Sequence, residues 1–281
     1  MDRENTRAAG ILNSQLREPD HVIPEEWLPP GFAARIVEPP AEPVTAVPAA
    51  TVMLLRDSVA GPEAFLLRRN RSSGFVPGAY VFPGGRVEPA DDDPSLQRRV
   101  RGVADSPPAA FWLAAMRETF EETGVLLGRL STPATDDAQL VYWREALLED
   151  RATLAEALDA LGAEPDFTDV VNFAHWITPL AETRRFDTRF FAAALPTGAE
   201  AVRDDREMSD ALWIPPAAAL ERFREGRLPM VFPTVHALQS IAGFETVAGV
   251  LAGLRARTVQ TVLPRLVRTA GGVGIFIDQE S

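Results

Sequence analysis

Apolar positions along this chain follow two periods, and the points where one gives way to the other mark out its elements. The run from Ala49 to Arg56 and the run from Ala64 to Arg69 are short and almost wholly apolar. The turn residues Val59-Ala60-Gly61-Pro62 separate them, so the pair reads as two adjacent strands. A further strand is expected at Ala79 to Phe82, and the acidic Asp91-Asp92-Asp93-Pro94 opens a polar stretch to Ser106 that reads as a loop with a short helix. Then the period changes. Ala109, Leu113, Met116 and Phe120 recur at helical spacing, which predicts a helix from Ser106 to Thr123. Ser106 would cap its free amides, Pro107 would occupy the first position without losing a hydrogen bond, and Gly124 supplies the left-handed residue that ends helices.

Val125 to Leu127 reads as the next strand, and Asp137 to Leu161 as two helices, from the spacing of Leu140, Trp143, Leu147 and Leu148 and then of Leu154, Leu158 and Leu161. Strands are expected at Phe173 to Thr178 and Phe186 to Leu195, helices at Pro216 to Arg224 and Pro233 to Arg255, and an extended piece at Val273 to Ile277. Strands and helices alternate irregularly, which favours an α/β (α+β) class with a mixed sheet between helices over a regular parallel array. Residues 1–45 are broken by Pro24, Pro29, Pro30, Pro39, Pro40 and Pro43 and read as a poorly ordered N-terminal arm. Residues 46–281 then form a single domain with an insertion at about 92–106 and helical additions at about 137–162 and 233–255.

Composition narrows the chemistry. The chain has 281 residues, 46% of them hydrophobic, and a formal charge of −12 that opposes broad nucleic-acid binding. All 28 basic residues are arginine, which removes the phosphate-binding P-loop and Schiff-base chemistry and fits a GC-rich bacterial genome. The absence of cysteine excludes disulfides, thiolate zinc sites and cysteine nucleophiles. His21, His175 and His236 are too scattered to form a metal cluster. The charged start MDRENTRAAG leads into no signal-length apolar stretch, so the expectation is a soluble cytoplasmic protein with no membrane partner.

The informative residues are Phe82-Pro83-Gly84-Gly85 and the segment from Arg117 to Val125, RETFEETGV. At 100° per residue, Glu118, Glu121 and Glu122 share one stripe of the helix, opposite the apolar face, and are expected to point outward. Like charges at this spacing repel unless a cation compensates them, and an all-oxygen set suits Mg²⁺ or Mn²⁺. A solvated acidic face with Arg117 paired to Glu121 accounts for the helix equally well. Pro-Gly-Gly lets backbone approach a ligand closely. Arg68, Arg69 and Arg71 cluster after a strand, where their guanidinium forks match phosphate oxygens or simply face solvent.

At these residues the sequence resembles the Nudix hydrolases, whose signature joins Gly, five residues, Glu and seven residues to Arg-Glu-aliphatic-x-Glu-Glu-x-Gly-aliphatic. The second half matches from Arg117 to Val125, with Thr119 in the aliphatic slot. In the first half, Asp91 stands at the glutamate position counted from Gly85, and 25 residues rather than seven separate it from Arg117, an insertion of 18. The interrupted box is similar to the branch containing the peroxisomal coenzyme A diphosphatases, as are Gly74 to Gly85, Trp176-Ile177-Thr178-Pro179 and Arg185 to Phe191.

The resemblance implies a Nudix-like mixed sheet sandwiched between helices and metal-dependent hydrolysis of a pyrophosphate in a nucleotide-derived small molecule. Coenzyme A or an acyl-CoA leads; ADP-ribose, a dinucleotide, or a non-catalytic nucleotide-binding role are the alternatives. It implies Glu118, Glu121, Glu122 and the Gly84 carbonyl as metal ligands and Gly84 and Gly85 against the substrate. Arg117 would orient a carboxylate by a bidentate pair. The general base would come from Glu118 or from a loop outside the box, where Glu207, six residues before Trp213, is similar in placement to a glutamate that many Nudix sequences carry before a tryptophan-bearing strand. A homodimer is left open.

Overall fold

The computed structural model describes residues 18–25, 32–37, 41–70, 77–103, 106–130, 137–269 and 271–277. Two compact units share them, and both are assembled from separate stretches of chain. The larger comprises residues 47–176 and 186–261.

The larger unit is organised about β2 (Val47–Ser58). On one side β2 pairs in parallel with β9 (Phe186–Ala194), from Val47 opposite Phe186 to Leu55 opposite Ala194. On the other, its C-terminal end pairs antiparallel with β3 (Gly61–Arg69) and its N-terminal half with β5 (Gly84–Arg86). The tight β2–β3 turn uses Gly61 at φ 97° and the Ser58 hydroxyl, which accepts from the Ala60 amide. With β4 (Tyr80–Val81) on β3, β8 (Val171–Ile177), β10 (Met208–Ile214) and β11 (Thr261–Val262), the sheet runs in the order β10-β3-β2-β9-β8-β11.

Both faces of β2 are covered, so Val52, Met53, Leu54 and Leu55 are all sealed from solvent, which explains the unbroken apolar run. One face meets α3 (Ala109–Thr123), whose Leu113, Met116 and Phe120 are fully buried with Val52 and Leu54. Each such side chain contributes roughly 1.5–3 kcal/mol by leaving water. Trp112 packs on Phe167 and Phe191 at centroid separations of 5.5 and 4.6 Å. Against β2 and β9 also packs α8 (Val247–Arg255), capped by Thr246.

Several boundaries differ from expectation. The long helix starts at Ala109, with Pro108 as its cap and no side-chain capping bond, because Pro107 precedes a proline and is biased away from helical geometry. Gly124 ends the helix at φ 73°. Val125 and Leu127 are core residues outside any strand; the strand there is β6 (Arg129–Leu130), paired with β7 (Ala163–Glu164). The two helices expected over 137–161 are α4 (Asp137–Leu148) and α5 (Leu154–Leu161), the latter with a Thr153–Glu156 capping box. Pro216–Arg224 is α6, as the pattern predicts. The expected helix 233–255 is two, α7 (Phe232–Ile241) and α8, because Gly243 breaks the run and Thr246 caps the second. The insertion holds α2 (Pro94–Gln97), which buries Leu96.

In the smaller unit, part of the segment expected to be a loose arm is ordered. His21–Pro24 form β1, antiparallel to β13 (Gly272–Phe276), which also pairs with β12 (Arg265–Thr269). A Cβ at Gly272 would overlap the Ile23 carbonyl, so this close pairing requires glycine. Phe32 of α1 (Phe32–Val37) is buried, and Arg185 joins Thr178 O to Val44 O. Ladder hydrogen bonds and one aromatic anchor order a segment whose prolines point to disorder. No helix of the described residues is long and apolar enough to cross a membrane.

Candidate active site

The acidic stripe of α3 is enclosed rather than turned to water. Glu122 is 8% exposed, and the Glu118 and Glu121 side chains are 14% and 16% exposed. What encloses them is the turn into β5 on one side and the loop before β10 on the other. A Cβ on Gly85 would overlap the Glu118 carboxylate, and one on Gly84 would overlap the Ala50 carbonyl. Gly84, expected through its carbonyl, touches the acid group through its amide, which donates to Glu122 Oε2 at 2.8 Å. Thr51 holds this turn by donating to Pro83 O at 2.7 Å.

Arg117 organises the stripe. Its Nε and Nη2 donate to the two oxygens of Asp91 at 3.0 and 2.9 Å, and both partners are buried. Nη1 reaches Glu118 at 2.9 Å and Glu121 at 3.1 Å, and Nη2 also meets Arg86 O. Burial works against the Arg117 charge, but Asp91, Glu118 and Glu121 together hold its pKa above the ordinary range. The insertion of 18 residues therefore leaves Asp91 with a defined task. Its carboxylate fixes the guanidinium in bidentate geometry and also accepts from the Glu88 amide, which anchors the turn behind β5. Thr119, in the aliphatic slot, is fully buried and donates back to Ala115 O at 2.7 Å.

Glu118, Glu121, Glu122, Asp204 and Glu207 surround a cavity of about 70 Å³ that Leu148 and Met208 also line. Burial pushes Glu118 and Glu121 up to about 7, against the pull of Arg117. Glu122 is raised well above the carboxylate range by burial and by Glu118, with Glu207 adding and the Gly84 amide and Arg69 opposing. Among the described residues no three such side chains already form a metal cage, because Glu118 and Glu121 turn to Arg117 and Glu122 turns to Gly84. The donor chemistry nevertheless fits a hard divalent cation. The set is all oxygen, it carries surplus negative charge, and ionisation of its buried carboxylates lacks only a compensating cation.

Of the residues expected at one site, Glu118, Glu121, Glu122 and Glu207 line the cavity, and Arg117 stands behind it on Glu118 and Glu121. Of the phosphate-binding candidates, Arg69 exerts its charge on Glu122, whereas Arg68, one residue away on the strand, stacks over Tyr80 and donates to Gly78 O. There it belongs to a second polar group, in which Tyr80 donates to Asp210 at 2.6 Å and is pushed up to about 12 by burial and that bond. Arg71 lies outside the described residues. Asp204 was not anticipated; its one signal is the acidic pair Asp204-Asp205 ahead of Glu207.

The sequence profile described as the NUDT19 Nudix domain matches residues 97–241, just over half of the chain. The chain belongs to this Nudix family. It is 31% identical over 234 residues to the acyl-coenzyme A diphosphatase NUDT19 of Gallus gallus, covering 66% of this chain and 62% of that protein. To the human protein of the same name it is 27% identical over 262 residues, covering 76% and 70%. The chain thus spans about three fifths of the length of the chicken relative. A crystal structure of a Nudix hydrolase from Alicyclobacillus acidocaldarius superposes with a TM-score of 0.65 at 28% identity, covering 74% of this chain and 96% of that one. The mixed sheet between helices is thus the Nudix fold, with α3 carrying the Nudix-box residues of the family.

Proposed function

We propose that this Nudix protein is a metal-dependent pyrophosphohydrolase that cleaves coenzyme A or acyl-CoA to 3′,5′-ADP and the corresponding phosphopantetheine. The observation that carries the reading is the enclosed carboxylate cavity on α3, in a chain similar to proteins named as acyl-coenzyme A diphosphatases.

Glu118, Glu121 and Glu122 would hold Mg²⁺ or Mn²⁺. Such an ion neutralises phosphate charge and lowers the pKa of the attacking water. The residues divide the remaining tasks. Arg117 and Asp91 keep Glu118 and Glu121 in place. Arg69 offers a guanidinium to phosphate oxygens. Glu207 accepts the proton from water as its oxygen bonds to phosphorus, and the anhydride P–O bond breaks with its electron pair leaving on the departing phosphate.

The test is to incubate the protein with coenzyme A, acetyl-CoA, ADP-ribose and NADH, with Mg²⁺ and with Mn²⁺, beside Glu122→Gln, and to weigh the products. Release of 3′,5′-ADP that disappears in the variant is the expected result. Cleavage of ADP-ribose or NADH alone would keep the chemistry and replace the substrate. No cleavage of any compound would leave a nucleotide-binding protein. Glu207→Gln should lower turnover at least about tenfold while leaving metal affinity nearly intact, and an unchanged rate would remove Glu207 from the mechanism.

A further inference from the structure

A helix ends with carbonyls that have no partner inside it. In α3, the helix that carries the acid residues, these are taken up in sequence order. Phe120 O accepts from the Gly124 amide at 2.8 Å, and Glu121 O accepts from Arg144 Nε at 2.9 Å. Glu122 O accepts from the Asp204 amide at 2.9 Å, and Thr123 O from the Val202 amide at 2.8 Å. The loop between β9 and β10 is therefore docked main chain to main chain on the end of the helix. Arg144, from α4, closes the arrangement, because its Nη2 donates to Val202 O at 2.8 Å. One guanidinium thus joins the helix carbonyl of Glu121 to the loop carbonyl of Val202.

The docked loop carries Asp204 and Glu207, both walls of the cavity that also contains Glu122. A second link ties the same loop to α4 and the residue that follows it, from Arg206 Nη2 to Glu145 at 2.6 Å and Glu149 at 3.5 Å. A planar fork suits a bridge between two fixed carbonyls, which a single ammonium spans poorly, and a cation is favoured at the negative end of a helix. We propose that Arg144 is a positioning residue: it clamps the loop to the end of α3 and so sets Glu207 and Asp204 against the carboxylates of the helix. The α4 addition then contributes to turnover without touching substrate. The inference rests on the pyrophosphohydrolase reading of the cavity.

The experiment compares Arg144→Ala and Arg144→Lys in the parent and in the Glu207→Gln and Asp204→Asn backgrounds. It uses the substrate that the parent cleaves, and hydrogen exchange of peptides covering residues 200–208 is measured in parallel. In the parent, Arg144→Ala should lower kcat about tenfold or more with KM changed less than about twofold, since what it loses is alignment rather than binding. In at least one of the two loop-carboxylate backgrounds it should cost little further, because a group that is already removed cannot be misplaced. Arg144→Lys should restore only a small part of the rate. Exchange over 200–208 should rise while the core of α3 stays protected.

An equal loss in all backgrounds would mean general destabilisation and would overturn the proposal, as would a full rate with a loosened loop. Should Arg144→Ala fail to fold, Arg206→Ala removes the exposed second link and should show a smaller loss with the same non-additivity; a loss equal in all backgrounds there again overturns the proposal. A parent that cleaves no pyrophosphate overturns the hydrolase reading and the catalytic half of this inference together. The exchange measurement still decides the clamp, and unchanged exchange in Arg144→Ala refutes it.

Discussion

Asp91 and Arg117 form a two-bonded pair with almost no exposure, and the guanidinium then serves Glu118 and Glu121 from its remaining edge. Removing one partner of a buried pair leaves the other uncompensated, at a cost of about 3–5 kcal/mol, of which Glu118 and Glu121 would recover part here. Asp91→Ala should therefore lower the denaturant midpoint clearly and reduce activity about 10- to 100-fold, as loss of a group that orients ligands does. Unfolding and kinetic curves on the same preparation check both. At Gly85 the constraint is contact: Gly85→Ala forces the Glu118 carboxylate to move, and a displacement near an ångström at a reacting centre costs about a hundredfold. That variant should keep its melting temperature within a few degrees while losing turnover. The buried carboxylates also set a pH dependence. Glu118 and Glu121 titrate near 7 in the folded chain, against 4.5 ordinarily, so the stability they contribute is present below about pH 4.5 and is lost as pH rises through about 7. Glu122 lies on the same side. In chelator, Glu122→Gln should melt a few degrees above the parent near pH 8 and level with it near pH 4, where the Glu122 carboxyl is largely protonated in the folded and the unfolded chain alike; equal melting at both pH values would mean that Glu122 ionises freely.

For α3, the sequence specified much of what matters and hid the rest. The period of Leu113, Met116 and Phe120 located the buried face, and Gly124 the end, because both are local properties of the helix. The enclosure of the acid stripe is not local: it comes from the turn into β5 and the loop before β10, whose docking depends on main-chain groups that carry no residue signature. For the same reason Asp204 was missed while Glu207 was found, since only Glu207 stands at a recognisable distance from a tryptophan strand. Thr119 departs from the aliphatic pattern, yet its hydroxyl is satisfied within its own helix turn. Thr119→Val removes a buried polar group together with its one side-chain bond, so the expected change in stability is small, within about 1 kcal/mol and without loss of activity. A larger destabilisation would show that the threonine hydroxyl has a further role.

Across the whole chain, strand and helix identities were largely legible, whereas the partition into units was not. Neither unit is continuous in sequence: the smaller gathers residues up to Ala46, Ile177–Arg185 and the segment from Val262 onward. Prolines made the first of these look like an arm, but β-ladder pairing between His21–Pro24 and Gly272–Phe276 joins residues about 250 positions apart, which no local pattern reports. The same remoteness governs the centre of the larger unit. β2 cannot complete its parallel ladder until β9 exists, and the paired Leu55 and Ala194 are 139 positions apart. At roughly 5–20 residues per second, a ribosome leaves the apolar run from Val52 to Leu55 without its central partner for on the order of ten seconds. Birth of this fold is therefore a waiting problem, in which a sticky strand made early has to avoid its neighbours until a late one arrives. Recovery of native protein from denaturant should fall as chain concentration rises, and should improve when a binder of unfolded apolar segments shields the chain during that interval.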